Sequence, residues 1–593
     1  MDPAIETQVE AWLSRMSLAQ KVGQMTQGER QHITPEQVRD FHIGSVLSGG
    51  GSAPGENRPA DWVAMNDAYW AASVESGDGL LPIPLLYGID AIHGNNNVLG
   101  ATVFPHNIGL GAARDPDLIR RIAAVTAKEI LATGVEWTFA PTLAVARDMR
   151  WGRVYESYSS DPDLVASYGR AFVEGLQGSL GDGDVVACLK HWVGDGATTD
   201  GIDQGDAAIS EEDLRRLHIA PYLPALEAGA LTVMASYNSW NGVKCHGHTR
   251  LLTEILKDEL GFQGLVVSDW NGIDQVHEDP LEAVVQSVNA GIDLFMVPDT
   301  WQRFIHDLTA AVEAGRVPMA RIDDAVRRIL RVKLAYGLFD RPRPAERTWS
   351  NSASYGSAEH RALAREAVQK SLVLLDHRED VLPLSKGARI LVAGRNADNR
   401  GHQCGGFTVA WQGSSGNALI EGGTSIWEGI QQLAPGAVLD VDASDLDGAS
   451  YDVAVVVIGE SPYAEGMGDI RPADKKVARG SAPADLPKAD LVPYAQTLQH
   501  RINRPEDLAL IERIAARGIP VVTVFVSGRP VITDAEIAAS QAFVAAWLPG
   551  SEGGGVADVL FGEVPFRGRL GFDWAGVDGK TRFTLGHGLS TGN

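Results

Sequence analysis

The sequence predicts an α/β protein with two units, a TIM-like (β/α) barrel followed by a smaller α/β unit with an open sheet. Three observations lead to this prediction. Short apolar segments alternate with helical segments through the first half of the chain, the apolar segments are continuous rather than alternating, and a second alternation begins after a Pro- and Ser-rich stretch. Continuous apolar strands separated by helices are typical of parallel sheets buried on both faces. A parallel sheet closed on itself with helices outside is a barrel of the TIM type.

The barrel prediction rests on a series of apolar strand candidates with helices between most of them. An amphipathic helical region at Val9–Met25 precedes the strand candidates, which are Gly44–Leu47, Leu85–Ile89, Trp137–Ala140, Val185–Leu189, Leu231–Ser236, Leu265–Ser268 and Asp293–Val297. The helix candidates are Pro116–Ala132, Leu164–Gln177, Glu211–Ala228, Leu281–Ala290 and the closing helix Arg321–Tyr336. A doubly wound open sheet is the alternative. It has less support, because the sequence contains neither a glycine fingerprint that opens a helix for a dinucleotide nor a Walker loop.

A linker divides the chain. The stretch from Phe339 to Ser357 is rich in Arg, Pro, Ser and Asn and lacks periodicity, which is typical of a segment between domains. We therefore expect a barrel domain of residues 1–340, a linker of residues 341–365 and a second domain of residues 366–593. The strand candidates of the second domain are Ser371–Leu375, Ile390–Ala393, Val453–Ile458, Val521–Val526 and Phe543–Trp547, and its helix candidates lie near Thr424–Leu433, Leu508–Ala516 and Gly554–Leu560.

A long polar stretch interrupts the second domain between Glu460 and Glu506. Connections of this length inside a compact domain are commonly functional or mobile. We therefore expect part of the functional site to lie on this loop.

Composition excludes several kinds of partner. The 593 residues are 44% hydrophobic and 21% charged, which is ordinary for a globular protein with large cores. The formal net charge of −25 argues against nucleic acid or an anionic membrane, because the mean field repels both. No apolar segment approaches the roughly 18 residues of a membrane span. A neutral small molecule fits this charge, and we expect a monomeric protein.

The cysteines and the N-terminus do not fix the compartment. Cys188, Cys245 and Cys404 form no Cys-x-x-Cys pair and allow at most one disulfide. The N-terminal residues include Asp2 and Glu6, where a signal peptide needs basic residues and then an apolar run. We therefore expect a cytoplasmic protein, or a periplasmic or secreted one if a signal peptide has been removed.

Polar side chains follow the ends of the predicted barrel strands. Each has an ordinary structural explanation, such as a helix cap, a surface turn, packing, or ion pairs with Glu156 and Asp161. Together they suggest a pocket, because the carboxyl ends of parallel barrel strands meet at one face. Their acids, bases and hydroxyls suit the hydroxyl groups of a single pyranose ring. The residues are Asp90, Arg147, Arg150, Arg153, Lys190, His191, Tyr237 and Asp269.

A catalytic metal is the competing chemistry. The sequence contains no His-Glu-x-x-His, no cysteine pair and no aspartate-rich loop with calcium spacing. Lys190 beside His191 would also repel a cation. We therefore expect neither a metal nor a cofactor.

Four motifs resemble glycoside hydrolase family 3. They are Trp-Gly-Arg-Val-Tyr-Glu-Ser-Tyr-Ser (residues 151–159), Lys-His-Trp-Val-Gly-Asp-Gly-Ala-Thr-Thr-Asp-Gly (190–201), Val-Val-Ser-Asp-Trp (266–270) and Ala-Trp-Leu-Pro-Gly-Ser-Glu-Gly-Gly-Gly-Val-Ala-Asp-Val-Leu-Phe-Gly (546–562). The similarity is greatest to the two-domain β-glucosidases and β-glucan exohydrolases and runs from about Met25 to the end of the chain. It implies a TIM-like barrel followed by an α/β sandwich domain, with the active site between them.

The resemblance also implies an activity and the residues that carry it. The activity is that of a retaining exo-acting β-glucosidase, which releases glucose from the non-reducing ends of β-glucosides and β-1,3/1,4-gluco-oligosaccharides. By position, Asp269 is the expected nucleophile and Glu465 the expected general acid. The residues expected to hold the terminal glucose are Asp90, Arg153, Lys190, His191 and Tyr237, and those expected to sandwich the next sugar are Trp270 and Trp411.

Departures from the family pattern leave the linkage preference open. Gln204 stands where related plant enzymes carry a glutamate, and Phe407 stands where a tryptophan of the Gly-Gly-Trp-Thr pattern is found. The single-domain hexosaminidases of the family carry Lys-His-Phe-Pro-Gly-His-Gly, whereas this chain has Val193-Gly194-Asp195 there. That difference excludes the hexosaminidase subgroup.

A retaining mechanism needs two carboxylates in different protonation states. We expect Arg153 and Lys190 to keep Asp269 ionised, while repulsion and partial desolvation keep the proton on Glu465. Glu460, directly after a strand, is expected to bond loop amides at the sheet edge. The alternatives are a β-xylosidase or arabinosidase on the same scaffold, or an inactive carbohydrate-binding or sensory protein. An inactive protein would lack a carboxylate, yet both candidates are present.

Overall fold

The N-terminal part of the chain folds into a closed barrel of parallel strands, as the sequence predicts. In the computed structural model, which describes residues 2–77, 79–446, 450–472 and 493–591, a five-stranded and a three-stranded parallel sheet lie edge to edge. Bridges from Trp137 to Val186 and from Val267 to Leu294 join the two sheets and close the ring. The barrel strands of the described residues, β1 to β8, are Thr26–Glu29, Ser45–Ser48, Leu86–Ile89, Trp137–Thr138, Cys188–Trp192, Thr232–Ala235, Leu265–Val267 and Phe295–Met296.

Strand β1 escaped the sequence analysis, because Thr-Gln-Gly-Glu has no apolar pattern. Its residues are nevertheless buried. Thr26 pairs with Phe295 of β8 and Gln27 pairs with Ser45 of β2, so β1 joins the last strand to the first predicted one. Inside the barrel, the Gln27 side-chain amide donates to Ser45 Oγ at 2.8 Å. The Gln27 amide donor therefore has a partner inside the barrel, and polar side chains rather than apolar ones occupy this buried strand.

Helices surround the barrel, and two of the predicted ones are interrupted. The region Val9–Met25 forms two helices, because Ser17 begins a new one: Ser17 Oγ accepts from the Gln20 N–H at 3.3 Å and Gln20 Oε1 accepts from the Ser17 N–H at 2.8 Å. The predicted helix Glu211–Ala228 is divided before Pro221, whose nitrogen cannot donate a hydrogen bond. The helices are Pro3–Leu13, Leu18–Gln24, Pro35–Asp40, Pro59–Ser73, Asn107–Ala113, Pro116–Leu131, Pro162–Gln177, Glu211–Asp213, Leu214–Ile219, Tyr222–Glu227, Arg250–Glu259, Pro280–Ala290, Trp301–Glu313 and Met319–Ala335.

The second domain is a six-stranded sheet with helices packed against it. Its strands, β9 to β14, are Val373–His377, Ile390–Ala393, Val438–Leu439, Val453–Gly459, Val521–Val526 and Ala542–Trp547. They lie in the order β9-β14-β13-β12-β10-β11, in which β9 is antiparallel to β14 and the other neighbours are parallel. The helices are Ala358–Ser371, Arg400–Cys404, Ile426–Leu433, His500–Asn503, Pro505–Ala515, Asp534–Ala539 and Gly554–Leu560.

The start of this domain differs from the prediction. Ser371, predicted as the first residue of a strand, is the last residue of the helix Ala358–Ser371, and β9 begins at Val373. Ser357 caps this helix by accepting the His360 N–H at 3.3 Å. The helix begins within the predicted linker 341–365, and the domain boundaries at 340 and 365 stay a prediction.

After β10 the chain adds β11 on one side of it and β12 on the other. Such a reversal in strand order leaves a crevice at the carboxyl ends of the two neighbouring strands, here β10 and β12. The polar stretch Glu460–Glu506 leaves the sheet there, and its residues 473–492 lie outside the described residues. Backbone bonds join this edge to the barrel: the Ile470 N–H donates to Arg150 O at 2.8 Å and the Ser551 N–H donates to Val103 O at 2.8 Å.

The pairing of the three cysteines was open at the level of sequence. Cys188, Cys245 and Cys404 are buried and free. Among the described helices, none combines the length and the apolar character that crossing a membrane requires.

Candidate active site

The ends of the barrel strands bring most of the predicted polar residues together. Arg147 is exposed instead, and Arg150 forms ion pairs with Asp148 and Asp200 at the surface. Lys190 and His191 belong to β5, Asp90 directly follows β3, and Asp269 lies two residues after β7. Lys190 Nζ donates to Asp90 Oδ1 at 2.6 Å, and both side chains are largely buried. This ion pair ties the ends of β3 and β5 together at the face where β7 also ends.

Arg153 lies at the centre of this group. Its Nε and Nη2 donate to the two carboxylate oxygens of Glu156 at 2.7 and 3.0 Å, which fixes the plane of the guanidinium. Nη2 also lies 3.2 Å from His191 Nε2, and Nη1 lies 3.8 Å from Glu465 Oε1. Arg153 therefore touches both a barrel residue of the predicted site and the predicted acid of the second domain.

The contacts of His191 define its protonation. Because a guanidinium only donates, Nε2 of His191 accepts from Arg153, and Nδ1–H therefore donates to Asp195 Oδ2, 2.9 Å away. Burial, and then the charges of Arg153 and Lys190, hold the pKa of His191 well below its usual range. A neutral imidazole thus lies with Nε2 3.7 Å from Asp269 Oδ2.

Asp269 is fixed by its own backbone neighbours. Its N–H donates to His246 Nε2 at 2.9 Å, and its Oδ1 accepts the Trp270 N–H at 2.7 Å. The Tyr237 hydroxyl donates to the Trp270 carbonyl, which holds the same turn from the other side. Burial raises the pKa of Asp269 to about 6, against the lowering effects of Arg153, the Trp270 amide and Lys190. At pH 7 the side chain is mostly ionised but poorly solvated.

Glu465 comes from the second domain, on the loop that follows β12. Its backbone adopts a left-handed φ of 53°. Its Oε2 lies 3.4 Å from the indole nitrogen of Trp411, which donates to it. Burial, and then the negative charges of Asp203 and Asp269, raise the pKa of Glu465 to about 8, although Arg153 opposes this. At pH 7 Glu465 is therefore mostly protonated, whereas Asp269 is mostly ionised.

Glu460, the other acid of this loop, is held within the second domain. Its Oε2 accepts the Tyr463 hydroxyl at 2.8 Å and the Gly528 N–H at 2.9 Å. Its Oε1 lies 3.3 Å from Arg529 Nε. Its carboxylate oxygens are thus engaged at the edge of the second sheet, as expected. Their partners differ from the expected amides of its own loop, because the one backbone amide among these three partners, that of Gly528, follows β13.

Trp270 and Trp411 pack against one glycine pair. Gly49 and Gly50 directly follow β2. A Cβ on Gly49 would lie 2.6 Å from Cζ3 of Trp270, and a Cβ on Gly50 would overlap Cε3 of Trp411. The Phe407 ring lies 4.0 Å from the Trp411 ring, at 57° to it. The two indoles, which belong to different domains, therefore share one backbone support.

Several residues of this site escaped the sequence analysis or appeared there only as ion-pair partners. Glu156 and Asp195 lie three and four residues after their partners Arg153 and His191, so close spacing within a motif was an available signal. His246, Asp203 and Asp469 have no such signal, because their partners lie far away in sequence. They are visible only once the fold brings the loops together.

Among the described ranges, no group of three or more His, Cys, Asp or Glu side chains is arranged to hold a metal ion. The groups described above, which the site offers to a ligand, are acids, bases and aromatic rings.

Comparisons with known proteins agree with this architecture. Residues 17–332 match the glycosyl hydrolase family 3 N-terminal domain, and residues 372–591 match the glycosyl hydrolase family 3 C-terminal domain. The chain is 33% identical to the lysosomal β-glucosidase of Dictyostelium discoideum, over 97% of this chain and 73% of that protein.

Solved structures give the same result. The exo-1,3/1,4-β-glucanase of a Pseudoalteromonas species superimposes with a TM-score of 0.92 at 46% identity, over 99% of this chain and 74% of that one. A mutant β-glucosidase of Listeria innocua, solved in complex with laminaribiose, superimposes with a TM-score of 0.79 at 27% identity, over 97% and 77% of the two chains.

Proposed function

The chain belongs to glycosyl hydrolase family 3, and from that membership we propose that it is a retaining, exo-acting β-glucosidase. Its substrates are β-glucosides and β-1,3/1,4-gluco-oligosaccharides, from whose non-reducing ends it releases glucose. The observation that carries the proposal is a pair of acids from two domains, Asp269 and Glu465, gathered around Arg153 and His191 with their pKa values on opposite sides of 7.

The first half of the reaction uses the two acids in their neutral-pH states. The Asp269 carboxylate attacks the anomeric carbon, while Glu465 gives its proton to the glycosidic oxygen and the bond to the aglycone breaks. A poorly solvated carboxylate is a better nucleophile than a hydrated one. An acid whose pKa is about 8 still holds its proton at pH 7.

The second half reverses the roles. Glu465, now a carboxylate, takes a proton from water, which attacks the anomeric carbon and releases Asp269 with net retention. Arg153, 3.8 Å from Glu465 Oε1, stabilises the negative charge that Glu465 carries between the two steps. The same contact lowers the pKa of Glu465 against the effect of burial, so it favours the ionised form that the second half of the reaction needs.

The terminal glucose is assigned to the buried polar groups of the barrel. Lys190 and Asp90 offer a donor and an acceptor in one ion pair, and Arg153 and His191 add groups on the side of Asp269. Groups that bond a whole terminal ring leave no space for a sugar beyond it, which gives exo action. Trp270 and Trp411 offer ring faces to the next sugar, and a ring face tolerates more than one linkage.

The similar enzymes support the substrate class. One of them is an exo-1,3/1,4-β-glucanase, and another was crystallised with laminaribiose. A β-xylosidase on the same scaffold is the alternative, and hydrolysis of an aryl β-glucoside compared with an aryl β-xyloside separates the two.

Replacing the acid tests the proposal. A dinitrophenolate leaves without a proton, whereas a sugar alkoxide does not. Glu465→Ala should therefore lower kcat/KM for laminaribiose by about 100-fold or more, yet leave glycosylation by 2,4-dinitrophenyl β-glucoside nearly unchanged. Azide should then accelerate turnover of the dinitrophenyl substrate and give β-glucosyl azide, because it replaces the base-assisted water.

Glu460→Ala is the matched control, since this glutamate lies on the same loop but bonds Tyr463 and Gly528. If Glu460→Ala gives the leaving-group dependence and the azide product while Glu465→Ala does not, Glu465 is not the acid. An α-configured azide product would contradict retention.

A further inference from the structure

The loop that carries Glu465 is fastened to the barrel through its backbone. Ile470 N–H donates to Arg150 O at 2.8 Å, and the Tyr463 carbonyl accepts the Tyr155 hydroxyl at 2.8 Å. Glu465 lies between these two attachments. The positions on the barrel side flank Arg153, which contacts the Glu465 carboxyl.

The Asp469 side chain adds two bonds between the barrel and the loop that carries Glu465, here called the acid loop. Its Oδ1 accepts the Gly152 N–H at 2.9 Å, and its Oδ2 accepts the Asp203 N–H at 3.0 Å. The side chain is almost fully buried, with an exposed fraction of 1%. Both carboxylate oxygens are thus occupied by backbone amides of two barrel loops, one of which leads into Arg153. A carboxylate that accepts backbone amides in a buried place makes strong, directional bonds.

Arg529 holds the same loop from the other side. Its Nη2 donates to the Gly468 carbonyl at 2.6 Å, and its Nη1 donates to the carbonyls of Met149 and Trp151 at 3.2 Å each. Its Nε donates to the Tyr463 hydroxyl at 2.9 Å. The guanidinium is fully buried, and its fork lies between the acid loop and the barrel loop.

The surfaces that these two residues join are in close contact. A Cβ on Gly152 would overlap the Glu465 carbonyl oxygen and lie 2.8 Å from the Gly468 carbonyl carbon. No side chain therefore fits between residue 152 and the acid loop. The glycine lets the two backbones approach, and the Asp469 and Arg529 bonds keep them there.

We propose that Asp469 and Arg529 are positioning residues of the reaction, which hold the Glu465 loop against residues 149–153 and so set the acid opposite Asp269. The inference rests on the proposed function, because it needs Glu465 to be the acid. We propose no contact of either residue with the sugar. Each acts through the bonds that join the acid loop to the barrel backbone. Proton transfer depends on distance steeply enough that a displacement of about 1 Å costs about 100-fold in rate.

The experiment compares two substrates in three variants. In Asp469→Asn, the backbone N–H of either Gly152 or Asp203 would face the new NH2 group and lose its acceptor. In Arg529→Lys, one ammonium nitrogen replaces the two terminal nitrogens that bond the two loops separately, so the fork geometry is lost. In Gly152→Ala, the added methyl group pushes the loop away. Gly152 does not have a left-handed φ, so the alanine acts by contact alone.

The expected result is a loss that depends on the leaving group. Each variant should lower kcat/KM for laminaribiose by about 10- to 100-fold, and change that for 2,4-dinitrophenyl β-glucoside by less than about threefold. Azide should accelerate turnover of the dinitrophenyl substrate in each variant, as in Glu465→Ala. The control is Asp558→Asn, which breaks a partly buried ion pair with Arg365, away from the acid loop. It should lower the melting temperature and leave the ratio between the substrates unchanged.

Three results would overturn the inference. They are equal losses on both substrates, an unchanged ratio in folded variants, and failure of all three variants to fold, which would assign these residues to stability alone. Glu465→Ala is measured in the same series. If it lacks the leaving-group dependence, the proposed function fails; if it shows the dependence while the other variants do not, only the positioning role fails.

Discussion

Asp269→Asn should abolish turnover and at the same time stabilise the protein. Burial holds the pKa of Asp269 at about 6, compared with 3.8 for an ordinary aspartate. The carboxylate is therefore less stable in the folded chain than in the unfolded chain. A neutral amide of nearly the same size avoids that cost, and its oxygen can still accept the Trp270 N–H.

The magnitude follows from linkage. The pKa of Asp269 is higher in the folded state than in the unfolded state. Burial of this carboxyl group therefore costs no stability below pH 3.8, and the free energy of unfolding falls as the pH rises from there through about 6. A difference of about 2.2 units corresponds to about 3 kcal/mol at pH 7.5. With an unfolding entropy of roughly 2.1 cal/mol/K per residue, the melting temperature should rise by about 4 °C if the barrel unfolds alone and by about 2 °C if the whole chain unfolds together.

The assay is thermal unfolding of wild type and Asp269→Asn at pH 7.5 and pH 5. At pH 5 the advantage of the variant should shrink to under about 2 kcal/mol, because the folded wild type is then mostly protonated. Turnover of an aryl glucoside should fall by about 1000-fold or more, since an amide is a poor nucleophile.

Asp293→Asn is the matched control. This aspartate is also buried, but Lys257 and Arg321 lower its pKa in spite of its burial. Its replacement leaves those cations without their partner, so it should destabilise the barrel, by about 3 to 5 kcal/mol. If Asp269→Asn melts at or below the wild-type temperature at pH 7.5, the account of a desolvated carboxylate is wrong. Activity within tenfold of wild type would remove Asp269 from the mechanism.

Two more predictions concern the acids and the aromatic rings. The pH profile of kcat/KM for laminaribiose should be bell-shaped, rising through about 6 as Asp269 ionises and falling through about 8 as Glu465 loses its proton; a profile flat from pH 5 to 9 would contradict both assignments. Gly50→Ala should lower kcat/KM for laminaribiose by about tenfold or more, because the new methyl group displaces Trp411. The loss should be smaller for methyl β-glucoside, since this substrate has no second sugar. Equal losses on the two substrates would refute the role of Gly50 in supporting Trp411.

The sequence alone located much of the barrel side of the site. Asp90, Lys190, His191 and Asp269 each follow or end a strand within a short motif, and the barrel geometry brings such ends together. This inference needs only the period of the apolar residues and the rule that parallel strands end at one face. It failed for Thr26–Glu29, because hydrogen bonds inside the barrel, rather than apolar side chains, accommodate that strand.

The tertiary structure decided how the acids are held and charged. Asp469 and Gly152 are 317 residues apart and His246 and Asp269 are 23 apart, and no periodicity connects such partners. The pKa values of about 6 and 8 arise first from burial, which depends on how two domains close over the side chains. Local sequence specifies which groups are present and on which strand, whereas desolvation and long-range contacts specify which of them carries a proton.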